Sequence, residues 1–173
     1  MSSSRKPPGP RVAKARLAPR VPAAGGLRRA RAAGRLVPLN PEALGAPVGF
    51  THGWLAPASA RLLFVAGQTA TDADGVVAAE GFAPQFDLAL ARALAVVAAA
   101  GGRPEHVVRM TVYVTDLDAY TEARREIGHV WKARMGRHYP AMALVEVRRL
   151  VDAGALVEIE VTAAVPASPE ARE

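Results

Sequence analysis

The chain has 173 residues, of which 50% are hydrophobic and 22% charged, enough material for one globular domain with a sizeable core. It contains no cysteine, which excludes disulfide bonds, thiol catalysis and thiolate metal sites. No window offers the roughly 20 uninterrupted apolar residues of a membrane span, so we expect a cytoplasmic protein without a membrane partner.

The net charge of +6 is unevenly distributed along the chain. Residues 1–35 hold ten Lys or Arg and no acid, which leaves twelve bases against sixteen acids in the remainder. This first stretch is rich in Pro, Gly, Ala and Arg and lacks an apolar period, which predicts a disordered basic tail. It could be a solvated extension or lie upstream of the natural start, serve as an organelle transit peptide, or bind nucleic acid through phosphate attraction. We expect nucleic-acid binding only through this tail.

The tail is followed by a linker and two predicted strands. The linker covers residues 40–53 and leads into a first strand through Trp54 and Leu55. Residues 61–68 are mostly apolar, which is typical of a central strand.

Two predicted helices flank a strand in the middle of the chain. Apolar residues recur at three- and four-residue intervals from Ala83 to Ala100, which predicts a helix with one buried face. Alternation from Val107 to Thr115 predicts an amphipathic strand with Val108 on its apolar face. Asp118 is placed to cap the second helix. The buried stripe of that helix would comprise Tyr120, Ala123, Ile127, Val130, Trp131 and Met135.

The last part of the chain predicts two strands joined by a turn. Alternation over residues 143–147 and again over 156–161 is the pattern of paired, half-buried strands, and it places Glu158 and Glu160 on one face. The order of elements predicts an α+β domain with one sheet and two helices on the same face. The other face of the sheet still carries apolar residues, which favours self-association.

This last region resembles the C-terminal signature of the RidA (YjgF) family of reactive-intermediate deaminases. The matching residues are Pro140 and Ala141, then Val-Glu-Val at 145–147 and Val-Glu-Ile-Glu at 157–160. The resemblance covers about residues 36–165 and leaves 166–173 as a C-terminal tail. It implies a chorismate-mutase-like fold with a mixed sheet, assembled as a homotrimer with ligand sites in the clefts between subunits.

The resemblance also implies a set of site residues. Glu158 corresponds to the family's glutamate that positions or activates the water attacking an imine carbon, and Gly67 to a glycine whose backbone lies near the ligand. Met142 stands where deaminating members have an arginine that binds the substrate carboxylate, and Phe50 stands in place of a tyrosine. Leu144 completes the substrate-binding set.

Each of these assignments has a structural alternative. Phe50 and Met142 could simply pack in the core, and Glu158 could be a strand residue without a catalytic role. Arg124, Arg137 or His138 could replace the missing arginine, although the sequence does not place them. Glu146 and Glu160 are expected to be structural, as partners of Arg109, Arg148 or Arg149 at strand edges.

Four functional hypotheses follow. The first is a small-molecule site between subunits that binds a metabolite, or hydrolyses an imine or enamine other than the usual 2-imino acids. The second is ordinary 2-imino acid deamination, which Met142 argues against. The third is an RNA-interacting protein of the endoribonuclease or translation-inhibitor type, and the fourth a chorismate mutase.

We expect no cofactor. The four histidines are dispersed along the chain, which predicts no metal site. Among them His52 is the one that we expect near a cleft.

Overall fold

The computed structural model describes residues 34–167, so nearly all of the two predicted tails lies outside the described residues. The described chain forms six strands and three α-helices. In chain order these are β1 (Val37–Leu39), β2 (Gly53–Leu55), β3 (Arg61–Gln68), α1 (Phe82–Ala99), β4 (Val107–Val114), α2 (Leu117–Glu122), α3 (Arg124–Met135), β5 (Ala141–Glu146) and β6 (Val157–Val165).

Four strands form the main sheet in the order β3-β6-β4-β5. Strand β6 is antiparallel to both β3 and β4, whereas β5 is parallel to β4, so the sheet is mixed. Helices α1 and α3 bury their apolar stripes in the same core as the inward side chains of the strands. Phe86 and Leu90 of α1 and Trp131 of α3 are among the buried residues of that core. The predicted α+β fold with helices on one face of a mixed sheet is confirmed.

The predicted pairing of the last two strands is wrong. Strands β5 and β6 do not contact each other as neighbours, because β4 lies between them and pairs with both. A parallel pair such as β4–β5 needs a crossover connection, and α2 with α3 provides it. Alternation in a strand reports which face is buried and carries no information about the neighbouring strand.

The first predicted strand is not part of the main sheet. Strand β2 pairs with β1, which the sequence analysis missed, in a separate two-stranded antiparallel sheet. Each of these strands has three residues, too few for a hydrophobic period to be recognised.

Two local details of the middle region differ from the prediction. A bulge between Val107 and Arg109 reverses the alternation at the start of β4, so Val107 is buried and Val108 only partly buried. The helix after β4 is capped by Asp116, whose side chain accepts a hydrogen bond of 2.8 Å from the Ala119 backbone N–H. Asp118 instead lies in the first turn of α2, and a break at Ala123 divides the predicted single helix into α2 and α3.

Helix α1 is apolar enough to raise the question of a membrane. By length and composition alone its 18 residues, with a mean hydropathy of 1.4, could cross one, but the core helix of a soluble protein passes the same test. In the fold α1 packs on β3 and β6, and six of its seven buried residues belong to the hydrophobic core. The core therefore accounts for its composition.

Candidate functional site

Gly67 and Glu158 lie against each other on the face of the sheet that no helix covers. Strands β3 and β6 are paired, and a register shift between Val65 and Gln68 brings Gly67 beside the Glu158 side chain. A Cβ atom at Gly67 would lie only 1.7 Å from the Glu158 Oε1 atom. Gly67 does not have a positive φ, so it is the close approach of the carboxylate that requires glycine here.

The surroundings of Glu158 make its carboxylate a better base. Burial raises its pKa above the ordinary value, and the nearby carboxylates of Asp152 and Glu160 raise it further. Asp152 is held in place by a hydrogen bond from the Thr69 hydroxyl. The Tyr113 hydroxyl donates to Glu160 over 3.2 Å. A carboxylate that holds its proton more tightly is a more effective general base for activating water.

Asp152 and Thr69 adjoin the Glu158 group, and the sequence analysis missed both of them. Asp152 lies in the loop between β5 and β6, 83 residues along the chain from its partner Thr69. No local pattern could reveal this contact, because the residues meet only when the loop folds back over the end of β3.

The predicted ion pairs of Glu146 and Glu160 do not form. Glu160 accepts from the Tyr113 hydroxyl, and Glu146 accepts from the Leu117 backbone N–H over 3.3 Å. Among residues 34–167 the ion pair is that between Arg134 and Asp87, with Nε and Oδ1 2.7 Å apart. These two glutamates therefore accept hydrogen bonds from a hydroxyl and a backbone amide and do not pair with arginines.

Met142 and Leu144 lie on the opposite side of the sheet from Glu158. In the parallel register Met142 is opposite Met110 and Leu144 opposite Val112, and both partners are buried under the helices. Met142 and Leu144 line a cavity of about 190 Å³ between β5 and the helices. The other lining residues are Gly49, Phe86, Val112, Tyr120, Arg124, Ile127, Gly128, Trp131 and Tyr139.

Phe50 lies beside this cavity without lining it. The Thr51 backbone N–H donates to the Pro140 carbonyl over 3.0 Å, which fixes the segment around Phe50 next to the start of β5. The ring of Phe50 packs edge-on against His52, with ring centroids 5.1 Å apart. A His52 ring nitrogen lies 3.3 Å from the Gly45 carbonyl oxygen, so this histidine makes a loop contact.

The five residues of the predicted site thus form two separate groups within one chain. Met142 shares its row of the sheet with Met110, whereas Glu158 is opposite Tyr113, three residues further along β4. At about 3.3 Å per residue the two rows are about 10 Å apart, and the two side chains point to opposite faces. Glu158 with Gly67 forms one group, and Met142, Leu144 and the adjoining Phe50 form the other.

Of the cations considered as substitutes for the missing arginine, Arg124 shares the cavity of Met142. Arg137 and His138 line a different cavity of about 510 Å³ with Trp54 and Lys132. The His138 Nε2 atom donates to the Val107 carbonyl over 2.6 Å, and burial holds the pKa of this histidine below its ordinary value. His138 is therefore a structural residue at this position.

No group of three or more His, Asp or Glu in the part of the chain that the structure describes is arranged to hold a metal ion.

Three large apolar side chains are exposed on the same open face of the sheet as Glu158. Leu62, Phe64 and Val145 are 59%, 75% and 42% exposed. Val145 shares a row of the sheet with Tyr113 and Glu158, whereas Phe64 and Leu62 are opposite Thr162 and Ala164, further along β6.

Comparison with known proteins agrees with this architecture. Residues 42–165 match the family model described as endoribonuclease L-PSP. The Rid-family protein YyfB of Yersinia pestis, of unknown function, is 29% identical with a TM-score of 0.65, covering 75% of this chain and 98% of its own. Rv2704 of Mycobacterium tuberculosis is 33% identical with a TM-score of 0.51, covering 68% and 88%.

A third similar structure was solved with a ligand. TdcF of E. coli with bound serine is 27% identical with a TM-score of 0.53, and the match covers 69% of this chain and 91% of TdcF. No curated protein matches the chain. Because the family model spans well over half of the sequence and the fold agrees, the chain belongs to the endoribonuclease L-PSP family, also called the YjgF/RidA family.

Proposed function

We propose that the protein binds a small metabolite between neighbouring copies of the chain and hydrolyses an imine or enamine there, with Glu158 as the base. The observation that carries this proposal is the division of the candidate site into two groups on opposite faces of one sheet. A single chain cannot bring Glu158 and Met142 onto one ligand. A second copy can, if its Glu158 face docks against the Met142 edge of the first.

The exposed apolar surface supports such an assembly. Leu62, Phe64 and Val145 lie on the Glu158 face, and covering them removes apolar area from water. A contact that joins one face of a copy to a different edge of the next is heterologous, and such contacts form a ring when the rotation between copies closes. A homotrimer with three equivalent sites is the arrangement that we propose.

The chemistry requires only water and a base. Glu158 accepts a proton from water as the water oxygen bonds to the imine carbon. Glu158 returns that proton to the nitrogen, which gives a carbinolamine. The hydroxyl proton then moves to the nitrogen as the carbon–nitrogen bond breaks and the carbon–oxygen double bond forms, and ammonia and a carbonyl compound are released. The carboxylates of Asp152 and Glu160 support this role, because they raise the pKa of Glu158 and so strengthen it as a base.

The size and lining of the cavity favour a small ligand. Its volume of about 190 Å³ is below the ~300 Å³ at which pockets for drug-sized molecules begin. TdcF, which is 27% identical, was solved with bound serine, a ligand of this size class. The endoribonuclease hypothesis has less support in the described residues, since Glu158, Glu160 and Asp152 would repel the phosphates of RNA.

The decisive experiment measures hydrolysis and assembly together. Imines generated in place by an amino-acid oxidase, and a set of enamines, are offered to the full chain and to Glu158→Gln, and carbonyl product is followed above the uncatalysed rate. We expect the wild-type protein to accelerate hydrolysis of at least one member and the variant to lose at least a hundredfold. Wild-type protein that neither binds nor hydrolyses any member would refute the proposal.

A charged residue on the open face tests the need for a second copy. Phe64→Glu should produce a monomer by analytical ultracentrifugation and abolish hydrolysis, because Phe64 is 75% exposed at the proposed contact. Val96→Glu is the matched control, since Val96 is 38% exposed on α1 at the helix side of the molecule. A fully active Phe64→Glu monomer would contradict an intersubunit site.

A further inference from the structure

The larger cavity, of about 510 Å³, lies apart from the residues assigned to hydrolysis. It is bounded by the end of α3, the segment from α3 to β5, strand β2 and the 3₁₀ turn at Pro104–His106. Glu158, Gly67 and Met142 are not among its lining residues. Its volume falls within the roughly 300–1,000 Å³ of small-molecule sites, so it can enclose a metabolite of moderate size.

Two cations line this cavity without a carboxylate partner. Lys132 lies in the last turn of α3, and Arg137 follows the end of that helix by two residues. In residues 34–167 no carboxylate lies within ion-pair distance of either one, since the ion pair there joins Arg134 to Asp87. Both side chains are exposed, so each can turn toward an anion in the cavity. Two positive charges on one cavity favour a ligand with two negative charges.

Hydrogen-bond acceptors line the same cavity. The His138 Nε2 atom donates to the Val107 carbonyl, which leaves Nδ1 as an acceptor of the neutral ring. Burial lowers the pKa of His138, so the ring stays neutral at pH 7. Glu105, in the 3₁₀ turn, adds an exposed carboxylate. Glu105 would repel a simple anion, whereas hydroxyl groups on a ligand can donate to both acceptors.

A nearly buried hydroxyl is also open to this cavity. Thr51 is 2% exposed and lines the cavity. Its backbone N–H donates to the Pro140 carbonyl, which fixes its position, but its hydroxyl has no hydrogen-bond partner among residues 34–167. Every fully buried side-chain oxygen or nitrogen in those residues has a partner, so the small exposed part of Thr51 includes its hydroxyl. That hydroxyl is available to a ligand.

An aromatic wall completes the cavity. The Trp54 Nε1 atom donates to the Tyr139 carbonyl over 3.0 Å, and the Trp54 and His138 rings pack with centroids 4.9 Å apart. Tyr139 in turn stacks on Trp131, with ring planes 8° apart. These contacts hold the wall before a ligand arrives, so little conformational entropy is lost on binding. The electron-rich face of an aromatic ring attracts C–H groups, which suits the apolar face of a sugar.

We propose that this cavity is a second binding site and that its ligand is a phosphorylated sugar. The guanidinium of Arg137 donates two hydrogen bonds to the phosphate, and the ammonium of Lys132 balances its second negative charge. The sugar hydroxyls bond to Thr51 and to the two acceptors, and the sugar ring lies against Trp54. Because the cavity does not include Glu158, this ligand is not the molecule that is hydrolysed.

The test separates the phosphate from the sugar. Binding of ribose 5-phosphate, glucose 6-phosphate, the two free sugars and inorganic phosphate to the full chain is measured by calorimetry for the wild-type protein, Arg137→Gln and Arg125→Gln. We expect the wild-type protein to bind one sugar phosphate at least tenfold more tightly than either of its fragments, and Arg137→Gln to lose at least tenfold. Arg125→Gln should bind as the wild-type protein does, because Arg125 is an exposed arginine of α3 that does not line the cavity.

A second variant tests the cavity without changing its charge. Thr51→Val removes the hydroxyl and keeps the shape of the side chain, so it should weaken binding of the sugar phosphate at least threefold and leave binding of inorganic phosphate unchanged. Wild-type protein that binds neither sugar phosphate more tightly than inorganic phosphate would overturn this inference, as would unchanged binding in Arg137→Gln. Both results would leave the proposal for Glu158 standing, since the two sites are separate.

Discussion

Substitution of Gly67 by alanine tests whether the position of Glu158 matters for activity. The new methyl group would lie 1.7 Å from the Glu158 Oε1 atom and 2.6 Å from its Cδ atom. Contacts of a Cβ atom below 3.0 Å essentially do not occur, so the carboxylate must move by at least 1.3 Å. The substitution thus displaces the base while keeping its chemical identity.

The expected effects on activity and stability differ in size. A misplacement of about 1 Å in a reacting group can cost on the order of a hundredfold in rate, and we expect a loss of this size in kcat/KM. Stability should change by no more than about 1 kcal/mol, because the clashing atoms belong to the movable end of Glu158 and alanine restricts the unfolded chain. Activity should therefore fall far more than stability.

The assay is hydrolysis of the best imine in the panel, combined with thermal unfolding and an NMR titration of Glu158. Away from its present neighbours the pKa of Glu158 should fall toward the ordinary value, which gives a readout independent of turnover. Gly53→Ala is the matched control, since its Cβ atom would meet Leu39 at an ordinary 3.9 Å. In a Glu158→Gln background, Gly67→Ala should reduce kcat/KM no further. Full activity with an unshifted Glu158 pKa in Gly67→Ala would refute the reasoning.

Three further predictions concern protonation and the cavity. The pKa of Glu158 is raised in the folded protein, so the protonated carboxyl favours folding at low pH and this contribution is lost as the pH rises through that pKa. Glu158→Gln should therefore raise the melting temperature at pH 7 and not at pH 4. An equal rise at both pH values would contradict this. The pKa of His138 is lowered by burial, so the wild-type protein should lose stability as the pH falls below about 6.5. In a pH series of thermal melts, the melting temperature of His138→Gln should depend less on pH in that range. Met142→Arg should raise the preference of the protein for a small carboxylate over its uncharged amide at least tenfold in calorimetry, because a guanidinium on β5 donates two hydrogen bonds to a carboxylate. An unchanged preference would contradict a ligand site at Met142.

The sequence was sufficient to place Glu158 on its face of the sheet, because that signal is local. Alternation in β6 placed Glu158 on the face away from the helices, and the structure puts it there. The resemblance set Gly67 beside the ligand, and the structure gives the physical reason for that glycine, since no side chain fits under the carboxylate. The face of Glu158 needed only the two-residue period of a strand, whereas the assignment of Gly67 came from the resemblance.

The order of the strands was beyond the sequence because pairing is a competition between distant segments. The 147–156 loop could have joined β5 and β6 as neighbours, and each strand has the alternation that such a pair requires. Strand β4 has buried apolar residues on the helix side and pairs with both β5 and β6. The same limit applies to Asp152, which reaches Thr69 only through this arrangement.

The cavity shows why a missing motif residue is weak evidence about a ligand. Position 142 on β5 holds methionine in place of the arginine that the resemblance implied, and this argued against ordinary 2-imino acid deamination. In the fold Arg124 and Met142 line one cavity although they are 18 residues apart. A ligand contacts all the side chains that line a cavity, whichever strand or helix supplies them. A guanidinium on α3 can therefore line the same cavity as an apolar residue of β5, which a comparison of single positions along the chain does not show.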